Sequence, residues 1–197
     1  MQRNRWSVLA LSVALLVPAT VLGAAEQFAV DPYHSSVTFS IRHLLTPFQG
    51  RFQKFTGSIS YDAAQPAASS VEFSIETASI DTNNGKRDDH LRSADFFDAE
   101  KFPTLTFKSE KVTAKSKEEL EVTGSLTVHG VTKSVTVPVK VLGVIPAKDS
   151  KKAGFSAQFT VNRKDFGIVW NKVLDAGSAL LGDDVTLTVI LEADLKK

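Results

Sequence analysis

Segment after segment of this chain places apolar residues at every second position, and no stretch of comparable length carries them at helical spacing. Val37, Phe39 and Ile41 alternate with Thr38 and Ser40, and Val71, Phe73 and Ile75 alternate with Glu72 and Ser74. The same phase returns at Leu105 and Phe107, at Val122, Gly124, Leu126 and Val128, and from Val135 to Val141. It appears again from Phe155 to Val161 and from Val185 to Leu191. A period of two puts all of these side chains on one face of an extended strand. His129-Gly130, the stretch Pro146 to Ser150 and Gly182-Asp183-Asp184 supply turn chemistry between the runs, which predicts hairpins and a mainly antiparallel sheet. With no long amphipathic helix to cover its apolar side, such a sheet must cover itself, as a barrel or as a two-sheet sandwich.

Side-chain size and sheet edges favour the barrel. All thirteen phenylalanines lie beyond residue 25, and Phe39, Phe73, Phe107, Phe155 and Phe159 share the inward phase of their strands. A barrel of about eight strands leaves no unpaired edge and encloses a space that is filled by side chains or holds one small ligand. The expected fold is therefore all-β, an eight-stranded antiparallel barrel with a short helix between strands. Pro138, inside SVTVPVKV, removes a ladder donor and predicts a bulge or a strand margin there.

The N-terminus reads differently. Arg3 and Arg5 precede an apolar run from Trp6 to Val17, too short to span a bilayer, and Gly23, Ala24 and Ala25 offer a small-residue cleavage site before Glu26. Residues 1–25 are expected to be a secretory signal peptide and residues 26–197 one exported barrel domain. No cysteine is present, so no disulfide, thiolate nucleophile or cysteine metal site is available. Of the 23 lysines and arginines two fall in the expected signal, against 22 acids, which leaves the rest near neutrality. That balance argues against a nucleic-acid partner, and without a dense basic stripe or a spanning segment no stable membrane insertion is expected.

Motifs for chemistry are sparse. His34, His43, His90 and His129 form no i,i+4 pair and no HExxH, so no metal site is indicated. GxSxG, P-loop and GxGxxG patterns are missing too, so nucleotide binding and elbow-type serine hydrolysis have no motif support. The densest polar cluster is KRDDHLRSADFFDAEKFP, residues 86–103. Asn83, Asn84 and Asp88 or Asp89 can cap a short helix there, and Pro103 marks the return to extended chain. Phe96, Phe97 and Phe102 have no core of their own in such a segment, so they are expected to plug or line the barrel mouth. Two other readings stay open: a secreted hydrolase or isomerase using His34, His43 or His90 with Asp88, Asp89 or Asp95, and a structural protein with a dry core.

The strings DPYHSSVTFSIRHL, FQGRFQKFTGSI, SIDTNNGKRDDHLRSADFFDAEKFPTLTFKS, VTGSLTVHGVTKSV and NRKDFGI resemble, in this order, the YceI-like family of lipocalin-like, polyisoprenoid-binding proteins exported to the bacterial periplasm. The resemblance implies a barrel whose lumen holds a long apolar chain, such as a polyisoprenoid, a quinone tail or a fatty acyl derivative, with no catalytic residue, metal or cofactor. A homodimer is compatible with it. Within the barrel, the residues that would bind this ligand are Phe39, Ile41, His43, Phe52, Phe73 and Ile75, followed by Phe107, Leu126, Phe155, Phe159 and Phe166. Arg87, His90, Leu91, Phe96 and Phe97 would add to them from the helical segment, with Arg87 and His90 toward a head group. One departure is DAGSALLGDDV, before the last strand, where family members often differ, so pocket depth and tail length do not carry over.

Overall fold

Strands form where the sequence alternates. The computed structural model describes residues 25–148, 150–173 and 179–196, so the expected signal peptide lies outside the described residues apart from Ala25. The strands in chain order are β1 (Glu26–Val30), β2 (Ser36–His43), β3 (Thr46–Phe52), β4 (Phe55–Tyr61), β5 (Ser70–Glu76), β6 (Ile80–Asp81), β7 (Thr104–Ala114), β8 (Glu119–Val128), β9 (Val131–Ala147), β10 (Ser150–Asn162) and β11 (Leu181–Leu195). A helix, α1 (Gly85–Arg92), separates β6 from β7.

These strands close an eight-membered antiparallel barrel in the order β1, β4, β5, β7, β8, β9, β10, β11 and back to β1. β11 is the closing strand: Ala193 faces Val30 of β1, and Leu187 faces Phe39 of β2. β1 and β2 thus lie end to end along it, and β3 and β4 lie end to end against them, with Phe28 opposite Ile59 and Val37 opposite Phe52. At the break between β1 and β2 the Ser35 hydroxyl replaces a missing backbone partner, accepting from Glu192 N at 3.0 Å and donating to Glu192 O at 3.2 Å. Antiparallel partners share a face, so the register confirms the common inward phase: Phe73 opposes Phe107, Phe107 opposes Leu126, and Phe159 opposes Leu187. A bulge between Ser109 and Lys111 resets the phase of β7, turning Val112 inward.

Two local expectations resolve differently. His129-Gly130 is a two-residue hairpin turn with φ of 51° and 74°, as its composition predicts. Gly182-Asp183-Asp184, by contrast, is no hairpin turn. It begins β11, where the pairing with β2 slips between Leu181 and Val185, and the link from β10 runs through residues 163–180. Pro138 marks a margin, since β9 pairs with β8 along its length there while its ladder to β10 starts only at Val139.

The inward phenylalanines do not fill the barrel. Rings of Phe39 and Phe73 lie across glycines on the neighbouring strand: a Cβ on Gly50 would come within 2.7 Å of Phe39 Cε1, and one on Gly57 within 2.6 Å of Phe73 Cδ2. Each ring takes the place of the absent side chain and lies along the wall. Of the five inward phenylalanines only Phe155 is fully buried, because the other four face open space. The inward side chains therefore leave open space between them.

β6 ties the helix to the barrel. It pairs with β3 at Arg51 and Phe52, and the Asp81 carboxylate accepts from Asn83 N at 2.9 Å, Arg51 Nε at 2.9 Å and Gln53 Nε2 at 2.7 Å. These donors, the Asn83 amide first, hold the Asp81 carboxyl down to about 2. A depressed carboxyl contributes stability that is complete above its unfolded value, 3.8, and lost as pH falls toward about 2. Asp81→Asn should therefore flatten the loss of stability across this acid window, measured by urea unfolding at stepped pH, with little change in slope near neutrality.

Candidate functional site

One end of the barrel is built to hold an opening. Three segments ring it: the β2–β3 hairpin, α1 with the loop that follows, and residues 163–173 with 179–181. α1 starts at Asn84, whose side chain accepts from Arg87 N at 3.1 Å. Asp88 is buried and accepts from Thr82 N at 2.9 Å and from the Thr82 hydroxyl. Arg87 donates to the same hydroxyl at 2.9 Å and to Thr82 O at 2.8 Å, while its guanidinium lies 4.1 Å from the centre of the Phe48 ring. Arg92 binds Ala78 O, Ile80 O and Asp89, pinning the helix end to β6. Asp88 and Arg92 thus serve the helix.

Arg163 organises the opposite side of the mouth. Its side chain is 4% exposed and donates to Gly182 O at 2.9 Å, Ile168 O at 2.8 Å, Trp170 O at 2.8 Å and Asp183 Oδ1 at 3.3 Å. Burial pushes the guanidinium below the ordinary arginine value and Asp183 opposes that shift; such a group stays charged at any physiological pH. The result fixes Trp170 beside the helix, 5.0 Å from both His90 and Phe96 between ring centres.

Inside this mouth lies a cavity of about 440 Å³, within the usual range of about 300–1,000 Å³ for small-molecule sites. A second compartment of about 140 Å³ continues toward the far end. Phe73, Ile75, Phe107, Leu126 and Leu187 line both, so the two form one lumen with a shared waist. Phe39, Ile41, His43, Phe52, Arg87, His90, Leu91, Phe96, Phe97 and Phe166 line the outer compartment, and Phe155 and Phe159 the inner one. Every residue expected at the site therefore faces the lumen. Phe96 and Phe97 line the mouth without plugging it, whereas Phe102 packs edge-on against His129.

Sequence reasoning missed Trp170, Arg163, Phe48 and Ile168, which also line the outer compartment, whereas Leu105 was legible from its inward phase. Val161, Val185 and Leu187 were legible as inward residues of β10 and β11, and they line it as well. Polar groups there are few: His43, Thr46, Arg87, His90, Thr106 and Arg163.

The histidines separate clearly. His90 Nε2 lies 2.9 Å from Asp95 Oδ2, so the mouth carries one histidine–carboxylate pair. His129 Nδ1 sits 3.2 Å from Phe166 O, behind the lining. His34 is on the outer wall with Asp31, Nδ1 to Oδ2 2.7 Å, a contact that raises the imidazole and lowers the carboxyl. Asp31, His34 and Glu192 are the one cluster among the described residues with metal-ligand spacing. Lys152 already occupies it, with Nζ 2.8 Å from Glu192 and 3.8 Å from Asp31, so a cation would have to displace an ammonium.

A YceI-like domain model matches residues 28–193. A UPF0312 protein of Vibrio cholerae is 39% identical over 168 residues, covering 82% of this chain and 88% of its own length. Among solved structures, BcnA of Burkholderia cenocepacia aligns with a TM-score of 0.74 at 28% identity, over 83% of this chain and 98% of that one. A polyisoprenoid binding domain from Saccharophagus degradans, implicated in plant cell wall breakdown, shares the fold at 14% identity with a TM-score of 0.65, over 88% of this chain and 100% of its own.

Arg163→Gln should leave the Ile168, Trp170 and Gly182 carbonyls short of donors and cost about 2–4 kcal/mol. Chemical denaturation would measure that loss, and tryptophan emission should shift red as Trp170 leaves its place against Phe96.

Proposed function

The chain belongs to the YceI-like domain family, and from that premise we propose that it is a periplasmic carrier that shields a long apolar ligand, a polyisoprenoid or a similar amphiphile, inside its barrel. The observation that carries this reading is the shape and chemistry of the lumen: two apolar compartments in line, with the few polar groups on the outer one. The likeness to a polyisoprenoid binding domain supports a ligand of this type. The N-terminal order of arginines, apolar run and small residues supports export.

Magnitudes rank the parts of the site. Burying about ten methylene groups at ~0.8 kcal/mol each gives about 8 kcal/mol before association costs. One charge-assisted bond to a head group from Arg87, His43 or His90 is worth about 1.5–3 kcal/mol. The tail therefore decides whether binding occurs, and the mouth tunes which head group is preferred. Phe73 and Phe107 at the waist and Phe155 and Phe159 beyond it would meet the far end of the tail.

The His90–Asp95 pair favours a second reading, a hydrolase or isomerase with His90 as general base. Among the described residues, neither serine nor cysteine lines the outer compartment beside it to serve as a nucleophile.

Mass spectrometry of an organic-solvent extract of natively purified protein should reveal a long-chain lipid in near-stoichiometric amount. Phe96→Ala with Phe97→Ala should lower affinity for that lipid by orders of magnitude in a protein that keeps its β-type circular dichroism. An extract free of lipid, together with turnover of some substrate that His90→Ala abolishes, would replace the carrier with an enzyme.

A further inference from the structure

The mouth of the lumen is ringed by apolar side chains that point into solvent. Leu45, at the tip of the β2–β3 hairpin, is 95% exposed, Leu44 beside it 40%, Val169 64% and Val173 71%. They lie on neighbouring segments: Leu44 N donates to Leu180 O at 2.8 Å, and residue 180 donates in turn to Lys172 O at 2.9 Å. Among the described residues these four are half of the large hydrophobic side chains left exposed, collected beside the mouth of the outer compartment.

The hairpin tip is also an unusual place for leucine. His43 pairs with Thr46, so Leu44-Leu45 is a two-residue turn, and Leu44 sits at φ 53°. Asparagine or glycine ordinarily fills such a first position, because a branched apolar residue gains nothing in the left-handed region. Leu44 there loses on backbone preference, and both leucines leave apolar surface in water.

Cations stand on all three rim segments. Residues 42–48 carry Arg42 and His43 without an acid, residues 167–173 carry Lys172 without an acid, and residues 85–88 carry Lys86 and Arg87, with Asp88 buried on Thr82. Of the neighbouring acids, Asp89 pairs with Arg92, Asp95 with His90, and Asp183 with Arg163 and Lys164, whereas Asp165 and Asp184 flank the same segments without such a partner among the described residues.

Resting on the carrier reading, we propose that this rim docks on a lipid bilayer, the two leucines and two valines entering the interface while Arg42, Lys86, Arg87 and Lys172 meet anionic head groups. Docked this way, the mouth faces the acyl region, and a tail passes between bilayer and lumen without crossing water. The cations are too few to hold the protein by charge alone. Apolar insertion supplies most of the binding and charge the preference for anionic surfaces.

Flotation of natively purified protein with vesicles of equal parts phosphatidylethanolamine and phosphatidylglycerol, and separately with phosphatidylcholine vesicles, tests the proposal. Leu44→Gly with Leu45→Asn gives the turn residues it prefers while removing the apolar tip, so its melting temperature should hold or rise. Its partitioning should fall at least about tenfold on both surfaces. Leu45→Asn alone, at the unstrained position, should show part of the same loss. Arg42→Gln with Lys172→Gln should abolish the preference for anionic vesicles. A wild type that does not float, or a double variant that floats equally well, would overturn docking. Solvent extraction of the same samples separates the two ideas: bound lipid without flotation ends docking and leaves the carrier, whereas leucine-dependent flotation without bound lipid upholds docking and ends the carrier.

Discussion

The hollow in this barrel depends on large rings lying against missing side chains. An eight-stranded barrel has an interior that inward side chains can fill, and five phenylalanines point inward here. Phe39 and Phe73 would close the lumen if they stood upright. Because Gly50 and Gly57 oppose them across the ladder, they fold down onto the wall, and the wall becomes thick and apolar while the centre stays open. Cavity, waist and binding chemistry all follow from that placement.

The mouth is stabilised by a different kind of bond. α1 buries no apolar residue of its own, and its fully buried side chain is Asp88. Thr82, Asp88, Arg87 and Arg92 fasten it through hydrogen bonds to backbone and side chains of its leader strand. Arg163 fastens the facing segment in the same way, with four carbonyl or carboxylate partners. Polar fastening leaves the apolar side chains of these segments, Phe96, Leu91 and Trp170, free to face the lumen instead of being spent on holding the mouth together.

Much of this was legible in the sequence because period-two alternation fixes which side chains share a face, and the register bears out that phase for Phe39, Phe73, Phe107, Phe155 and Phe159. The helix at Gly85–Arg92 was legible through its asparagine cap. Trp170 and Ile168 were not, because they sit in an irregular segment positioned by Arg163, a contact between parts of the chain that no local pattern encodes. Phe48 was hidden for a related reason: β3 reads TPFQGRF, with Thr46 and Gly50 where alternation in the phase of Phe48 would need apolar residues. Gly182-Asp183-Asp184 misled because turn composition also suits a register slip inside a strand. The glycines under the phenylalanine rings carry a signal only once the strands are paired, since Gly57 and Phe73 are neighbours across the ladder and not along the chain.

The most direct test of an open, continuous lumen is an isotope-edited NMR measurement with a ¹³C-labelled polyprenol bound to the protein. Cross-peaks from one bound chain to ring protons of Phe96 at the mouth, of Phe107 at the waist and of Phe155 beyond it are predicted. Cross-peaks confined to Phe96 and Trp170, with the rings of Phe107 and Phe155 silent, would contradict it and mark the inner compartment as part of the packed core.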